Sequence, residues 1–329
     1  CNKKVEIMSE ISSGLSAIWW LPGVMSLPAW FIYRLFRSKK KVSQLQGKVV
    51  LITGASSGLG EALALVFYLI GCRVILASRR QEELERVRSE LMSYRKHSAV
   101  TTYPPFVLTL DLSDLNVLPD HVTRAMKAFG HIDILINNGG ISFRGDINNT
   151  NIDVDMKVML VNYFGQVAVT KGENLGFFLR TFKKHIVAIS SVQGRIALPY
   201  RSAYAASKHA LQAFCDTLRA EVAQHNIKVT VFSPGYIQTR LSLNAMTGTG
   251  ETYGIMDETT ANGYTPKQVA NRILRAIVYE EKEVVMASYL PRIAIWLRTL
   301  LPSLYFNAMN RRALKEVDSL TNLLIHILP

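Results

Sequence analysis

The sequence has few of the residues that build disulfide frameworks or metal centres. Its 329 residues include three cysteines, Cys1, Cys72 and Cys215, whose number and spacing fit neither a disulfide framework nor a zinc site. The seven histidines are scattered and show no metal-ligand spacing. We therefore expect no bound metal.

Acidic residues are also scarce relative to basic ones. There are 25 Asp and Glu against 38 Lys and Arg, which gives a formal net charge of +13. Such a charge favours nucleic acid or an anionic membrane surface as a partner. However, the basic residues are spread along the chain apart from a cluster at residues 34–41, and no zinc-finger, homeodomain or RNP pattern is present. We therefore expect no nucleic-acid partner.

An uncharged, aromatic-rich run covers residues 11–33. As a helix it would be about 34 Å long, which is enough to cross a bilayer. The pattern predicts a single-pass membrane protein of the endoplasmic reticulum or peroxisome, and the basic cluster after the run favours a cytosolic catalytic domain. A surface amphipathic helix and a cleaved signal peptide stay open as alternatives.

A glycine-rich turn follows the first predicted strand. Residues 53–60 read Thr-Gly-Ala-Ser-Ser-Gly-Leu-Gly, after a strand at 48–52 and before a helical pattern. Gly54 permits the tight turn, Gly58 lets the backbone approach a pyrophosphate, and Gly60 allows close helix packing. Because the helix N-terminus would face the phosphates, we expect a dinucleotide cofactor here.

Strands and helices then alternate along the chain. The predicted strands are residues 48–52, 73–77, 106–110, 132–136, 185–189, 228–232 and 283–287, and the longer helices are 81–93, about 120–129, about 153–182 and 203–224. This alternation predicts an α/β fold, a Rossmann-type doubly wound parallel sheet of about seven strands. The predicted organisation is an N-terminal flank (1–10), a membrane anchor helix (11–36), a basic linker (37–45), an NAD(P)-binding Rossmann domain (46–290) and a C-terminal extension (291–329).

Three polar residues fit a redox step between an alcohol and a carbonyl compound. Tyr204 and Lys208 lie four apart, which on a helix puts both on one face. A free tyrosine has a pKa of about 10, and a neighbouring ammonium group would lower it toward a useful acid/base range. Ser191 follows a predicted strand, at the sheet edge where such folds bind ligands. The Tyr/Lys pair alone is weak evidence, since a chain with 13 tyrosines contains one by chance.

Together these motifs resemble the short-chain dehydrogenase/reductase family over about residues 46–290. The matching residues are Thr-Gly-x3-Gly-x-Gly at 53–60, Asp111, Leu112, Asn-Asn-x-Gly at 137–140, Asn162, Ser191, Tyr204, Lys208, Pro234, Gly235 and Thr239. The N-terminal run and residues 162–165, 202–209 and 253–257 are similar to one branch, SDR family member 7B and its insect 7-like relatives.

The resemblance implies a role for each residue. Tyr204 would be the general acid/base, Lys208 would lower its pKa and bind the nicotinamide ribose, and Ser191 would hold the substrate oxygen. Asn162 would help to hold a water in a proton relay beside Lys208. The implied cofactor contacts are Gly54, Ser56, Ser57, Gly58, Leu59, Gly60, Ser78, Arg79, Asp111, Leu112, Asn138, Gly139, Tyr204, Lys208, Pro234, Gly235, Ile237 and Thr239.

The end of the second strand indicates which cofactor is preferred. An NAD site places an acid there, but residues 77–80 read Ala-Ser-Arg-Arg. Arg79 can pair with a 2′-phosphate, although a solvated arginine is the alternative. NADP(H) is therefore favoured over NAD(H).

Three features depart from the family pattern or extend it. Gly172 and Gly176 fall in a helix that forms the dimer interface in the family, so a homodimer is left open. The long loop at residues 233–265 is predicted to close over the substrate, and we name it the lid. For the apolar C-terminal extension three alternatives stay open: it lines a lipophilic pocket, touches the membrane or adds to the core.

These patterns lead to one functional hypothesis and one rival. The hypothesis is a membrane-anchored, NADP(H)-dependent oxidoreductase that transfers a hydride between nicotinamide and a lipophilic alcohol or ketone of steroid, retinoid or acyl-lipid type. The rival is a catalytically silent, nucleotide-binding membrane scaffold. The presence of all four residues of the implied Ser-Tyr-Lys-Asn site argues against the rival.

Overall fold

The computed structural model describes residues 42–97, 100–172 and 182–327. The chain divides into two compact units, Cys1–Lys41 and Val42–Pro329, and all the described residues belong to the second. Among the helices of these ranges, none combines the length and apolar character needed to cross a membrane. The prediction of a single-pass membrane protein is contradicted by this finding and is withdrawn. The predicted anchor, residues 11–36, lies outside the described residues.

The sheet has seven strands, as the alternation of elements predicts. All neighbours pair in parallel, in the order β3-β2-β1-β4-β5-β6-β7. The strands are β1 Val49–Thr53, β2 Arg73–Ser78, β3 Phe106–Thr109, β4 Ile132–Asn137, β5 Phe182–Ile189, β6 Lys228–Pro234 and β7 Glu283–Met286. The order reverses direction between β1 and β4, and open sheets of this kind bind ligands at that switch point.

Helices cover both faces of the sheet. They are α1 Gly58–Leu69, α2 Gln81–Ser93, α3 Leu118–Phe129, α4 Ile152–Met159, α5 Gly165–Lys171, α6 Ser202–Glu221, α7 Glu258–Ala261, α8 Pro266–Val278, α9 Tyr289–Leu300 and α10 Pro302–Ile327. Every residue of β1 and β4 is buried, as expected for strands covered on both faces. One core cluster includes residues of α1, α2 and α8, and another includes residues of α3 and α6.

The single long helix predicted at about residues 153–182 is wrong. Helix α4 passes through a π-helical turn, Leu160–Phe164, into α5, which ends at Lys171. Gly172 then has a φ of +59°, a conformation that favours glycine over other residues and stops the helix. Residues 173–181, which include Gly176, lie outside the described residues, and the homodimer stays a prediction.

The lid and the C-terminal extension both contain regular structure. Short helix α7 lies within the lid, while α9 and α10 form the extension. Tyr305 of α10 is buried, and its hydroxyl donates a hydrogen bond of 2.8 Å to the carbonyl of Ala197. The extension therefore packs against the segment that leads from Ser191 to Tyr204.

Candidate active site

Hydrogen bonds of Thr53 link the ends of the two central strands, β1 and β4. Its hydroxyl accepts hydrogen bonds from the amides of Asn138 (3.0 Å) and Gly139 (2.9 Å). The Asn138 side chain donates in turn to the Thr53 carbonyl at 2.9 Å. Sequence reasoning assigned no role to Thr53, although its place between β1 and the first glycine was the available signal. These bonds fix the floor of the site at the carboxyl edge of the sheet.

Two glycines of the glycine-rich turn, Gly58 and Gly60, leave little or no room for a Cβ atom. A Cβ on Gly60 would lie 2.0 Å from the carbonyl oxygen of Gly54, and a Cβ on Gly58 would lie 3.1 Å from Cγ2 of Thr239. Gly54 and Gly58 also have φ angles of +67° and +59°. The first amides of α1 have no intrahelical acceptor and suit an anion. The turn therefore fits the pyrophosphate of a dinucleotide.

Gly60→Ala should abolish cofactor binding although alanine is the better helix former. The added methyl group collides with backbone, and overpacking of this kind costs about 1–3 kcal/mol. Titration with NADPH and thermal unfolding measure the two effects. Gly130→Ala is the control for cofactor binding, because a Cβ there meets nothing within 4 Å. Its φ of +79° means that this control should itself lower the melting temperature while leaving NADPH affinity unchanged. Binding by the Gly60 variant with wild-type affinity would contradict this reading of the turn.

Ser191, Tyr204 and Lys208 meet beside the end of β5. Ser191 directly follows the strand region and caps a 3-10 turn, where its hydroxyl accepts from the Gln193 amide at 3.1 Å. Tyr204 and Lys208 lie on α6, and Nζ of Lys208 is 5.7 Å from the centre of the Tyr204 ring. The same Nζ donates to the carbonyl of Ile189 at 2.9 Å. All three side chains are buried.

Burial has the largest effect on the pKa values of Tyr204 and Lys208. It raises the pKa of the Tyr204 phenol above its usual value, while a hydrogen bond with Ser191 and the positive charge of Arg144 act to lower it. Burial also lowers the pKa of Lys208 to about 8. The sequence predicts that Lys208 lowers the pKa of Tyr204. In the structure the opposing groups are Ser191 and Arg144, and burial outweighs them.

Asn162 lies in the π-helical turn and is fully buried. Its Oδ1 accepts from the amide of Ile141 at 2.8 Å, and its Nδ2 donates to the Ile141 carbonyl at 2.9 Å and to Oγ of Ser207 at 3.0 Å. A Cβ on Gly140 would be 2.9 Å from Oδ1 of Asn162 and 3.8 Å from Nζ of Lys208. Asn162 therefore ties the segment after β4 to the helix that carries Tyr204 and Lys208. Such π-helical turns are frequent at functional sites.

The outer residues of the predicted cofactor site line the same edge. Oδ1 of Asp111 accepts from the amide (2.9 Å) and the hydroxyl (2.8 Å) of Ser113, which fixes this carboxylate after β3. Cδ1 of Leu112 lies 2.6 Å from the position of a Cβ on Gly139. A glycine at position 139 therefore relieves a close contact with Leu112.

The end of β6 closes the opposite side of the glycine-rich turn. Pro234 is the last residue of the strand, and the amide of Gly235 donates to the carbonyl of Met286 at 2.8 Å. Ile237 forms an isolated parallel bridge with Tyr264. The Thr239 side chain packs against Gly58, as described above, so these residues and the turn face one another.

Two adjacent arginines follow β2 and differ in their contacts. Both arginines are exposed, among them Arg79, which the sequence singled out. Nη2 of Arg80, which the sequence did not single out, donates to the hydroxyls of Ser56 and Ser57 at 3.0 Å each. The amide of Arg80 donates to the Ser78 hydroxyl at 3.3 Å. A guanidinium group is therefore held directly over the glycine-rich turn.

Metal ligands do not cluster in this site or elsewhere among residues 42–97, 100–172 and 182–327. No group of three or more His, Cys, Asp or Glu side chains in these ranges is arranged to hold an ion. The arrangement at the sheet edge instead provides a dinucleotide cradle, a phenol, an ammonium group and a hydroxyl.

Comparison with known proteins identifies the family. Residues 48–248 match the family model described as short chain dehydrogenase. The chain is 54% identical over 314 residues to "Dehydrogenase/reductase SDR family protein 7-like" of Anopheles gambiae, covering 94% of this chain and 98% of that protein. It is 50% identical to "Dehydrogenase/reductase SDR family member 7B" of Bos taurus, covering 88% of each. The resemblance inferred from the motifs is confirmed.

Solved structures show the same fold. A short-chain dehydrogenase/reductase from Burkholderia phymatum in complex with NAD aligns with a TM-score of 0.65 at 22% identity, covering 77% of this chain and 93% of that one. A short-chain dehydrogenase from Burkholderia cenocepacia in complex with NADP aligns with a TM-score of 0.63 at 20% identity, covering 80% and 98%. By its family model and its relatives, the chain belongs to the short-chain dehydrogenase/reductase family of oxidoreductases.

Proposed function

We propose that this oxidoreductase uses NADP(H) to interconvert a lipophilic alcohol and the corresponding ketone. The observation that carries the proposal is the meeting of Tyr204, Lys208 and Ser191 with the glycine-rich turn at one edge of the sheet. The turn suits a dinucleotide, and the three side chains suit proton transfer at a carbonyl oxygen.

Each residue of the site has a distinct task. The nicotinamide, when bound, supplies or accepts the hydride. The Ser191 hydroxyl hydrogen-bonds the substrate oxygen, and Tyr204 gives that oxygen its proton in reduction and takes it back in oxidation. Lys208 binds the ribose with its ammonium group. Asn162 holds the wall beside Lys208 and supports a proton relay.

The preference for NADP(H) rests on charge. No acid stands at the end of β2, where an NAD site uses one to bind the ribose 2′-hydroxyl. Arg79 lies exposed at that end, and Arg80 is held over Ser56 and Ser57. A guanidinium group matches a phosphate with two donors, so these side chains favour a 2′-phosphate.

Charge reversal at either arginine should weaken NADPH binding by about tenfold or more, since a charged hydrogen bond contributes about 1.5–3 kcal/mol. NADH binding should change little, because it lacks the 2′-phosphate. We would titrate Arg79→Asp and Arg80→Asp with both cofactors. Arg275→Asp, an exposed arginine on α8, is the matched control. Equal losses for the two cofactors would refute the proposed preference.

Apolar side chains of the lid support a lipophilic substrate. Ile255 is 51% exposed, and Leu241 and Met256 are also exposed. Tyr204 itself belongs to a buried cluster with Phe143 and other apolar residues. Exposed apolar side chains beside a site mark a surface that gains by covering apolar atoms. Steroid, retinoid and acyl-chain ketones all have such atoms.

The test is oxidation of NADPH by purified protein with a panel of steroid, retinoid and acyl-chain ketones. We expect turnover with at least one class, faster than with small water-soluble ketones. Tight binding of NADPH without turnover on any ketone would instead support a catalytically silent nucleotide-binding protein.

A further inference from the structure

Arg144 is a nearly buried cation between the lid and the active site. Its side chain is 8% exposed. Nη2 and Nε donate to Oδ2 of Asp257 in the lid, at 2.5 and 3.2 Å. Nη1 donates to Oγ of Ser142 at 2.7 Å and to the carbonyl of Phe143 at 2.9 Å. All three guanidinium nitrogens are therefore engaged, and the charge is fixed in place.

Backbone hydrogen bonds join the segment around Arg144 to the lid and to the segment that leads into α6. On one side the Arg144 amide donates to the carbonyl of Met246 at 2.9 Å, and the Met246 amide donates to the carbonyl of Ser142 at 2.9 Å. On the other side the Gly145 amide donates to the carbonyl of Tyr200 at 3.2 Å. Tyr200 has a φ of +57°, an unfavourable conformation for tyrosine, and it lies four residues before Tyr204. Movement at Arg144 would therefore displace both the lid and the segment that leads into α6.

Asp257 lies where the irregular part of the lid passes into helix α7. It directly precedes α7, and its carbonyl accepts from the amides of Thr260 and Ala261. The lid is long and folds back on itself between the amide of Tyr253 and the carbonyl of Ala245, at 2.8 Å. Its pairing with Arg144 joins residues 113 positions apart in the sequence. The ion pair thus connects the far end of the lid to the active-site wall.

We propose that Arg144 is a positioning residue that holds the lid closed through Asp257 and keeps a positive charge beside Tyr204. The inference deepens the proposed function and rests on it, because it assigns the proton-transfer step to Tyr204. Arginine suits the task better than lysine, since its planar fork reaches Asp257, Ser142 and the Phe143 carbonyl at once.

The charge of Arg144 acts on a phenol that several groups surround. Lys208 faces Tyr204 from the same helix, and Ser191 bonds it from the end of β5. Phe143, the residue before Arg144, packs in one buried cluster with Tyr204, and Asp257 pairs with Arg144 from the lid. Arg144 is the cation that acts to lower the pKa of the phenol. Loss of that charge should therefore raise the pKa of Tyr204.

The first test follows the lid without any substrate. In Asp257→Asn, hydrogen exchange of the lid amides at Met246 and Tyr253 should be about 5- to 30-fold faster, the change expected when one or two kcal/mol is lost. Glu281→Gln is the matched control. It removes the partner of Arg272 (2.7 Å) just before β7, at the opposite edge of the sheet. Unchanged lid exchange in Asp257→Asn would overturn the proposal.

The second test separates the effect of the Arg144 charge on Tyr204 from the role of Arg144 in holding the lid closed. In oxidation Tyr204 must be deprotonated to accept the proton, so its pKa sets the ascending, acid-side limb of the kcat/KM profile. That limb should move to higher pH when Arg144→Gln is combined with Asp257→Asn, which removes the pair without leaving a lone charge. Arg144→Lys keeps the cation and should leave the limb nearer its wild-type position, although the lid exchanges faster. A limb that stays in place in the double variant would overturn the role of the charge. Absence of turnover in the wild type would refute the proposed function instead, while the exchange result would stand by itself.

Discussion

Replacing Tyr204 with phenylalanine should lower kcat/KM by about 10²- to 10⁴-fold, the loss expected when a general acid/base is removed. The phenylalanine ring keeps the packing of Tyr204 in its apolar cluster with Phe143 and Val158. The only group lost is the hydroxyl that carries the proton, so affinity for NADPH should change little. Steady-state kinetics and cofactor titration on the same preparation measure both quantities.

Tyr68→Phe is the matched control for this experiment. Tyr68 is also fully buried, and its hydroxyl has no hydrogen-bond partner within the described part of the chain. Removal of that hydroxyl should therefore leave turnover unchanged and cost no stability. Undiminished turnover in Tyr204→Phe would remove Tyr204 from the mechanism.

Lys208→Met should abolish most activity and yet stabilise the free protein at neutral pH. Burial lowers the pKa of Lys208 from 10.5 to about 8, so the folded state holds this ammonium at a cost. At about 1.36 kcal/mol for each pKa unit, the shift corresponds to roughly 3 kcal/mol. Loss of the hydrogen bond from Nζ to the Ile189 carbonyl offsets about 1 kcal/mol, so the free energy of unfolding should rise by roughly 2 kcal/mol. Methionine keeps the length and apolar stem of lysine, which limits any loss of packing.

The sign of the pH dependence follows from the same shift. Between pH values of about 8 and 10.5 the unfolded chain holds the Lys208 proton while the folded protein has lost it. Wild-type stability should therefore rise with pH across that window, and this contribution should be missing from Lys208→Met. Urea unfolding of both proteins at a series of pH values, with no cofactor present, measures the difference. Parallel curves for the two proteins would show that the ammonium is not held at a cost.

The sheet could be predicted because burial on both faces leaves a clear pattern. Strands β1 and β4 are mostly apolar and are buried along their whole length. The glycines that follow β1 indicate a turn lined by backbone. The same logic placed Ser191 and Tyr204 at one edge of the sheet. These inferences depend on local sequence and on the geometry of parallel sheets, which leaves few arrangements open.

Features that depend on tertiary contacts could not be predicted in the same way. Which of two adjacent arginines turns toward Ser56 depends on the backbone path after β2, so the contact of Arg80 was missed, while the role of Arg79 stays a prediction. Arg144 belongs to no motif, and its partner Asp257 is 113 residues away. The helix predicted to run to about residue 182 failed because Gly172 adopts a positive φ at the end of α5.

The central claim is that this site moves a hydride between NADPH and a lipophilic carbonyl compound. The most direct measurement uses NADPH deuterated at the transferable position, a lipid extract together with the ketone panel, and mass spectrometry of the products. The account predicts one deuterium at the carbinol carbon for each NADPH oxidised, and incorporation about 10²- to 10⁴-fold slower with Tyr204→Phe. Saturating NADPH binding with no deuterium in any product would contradict it.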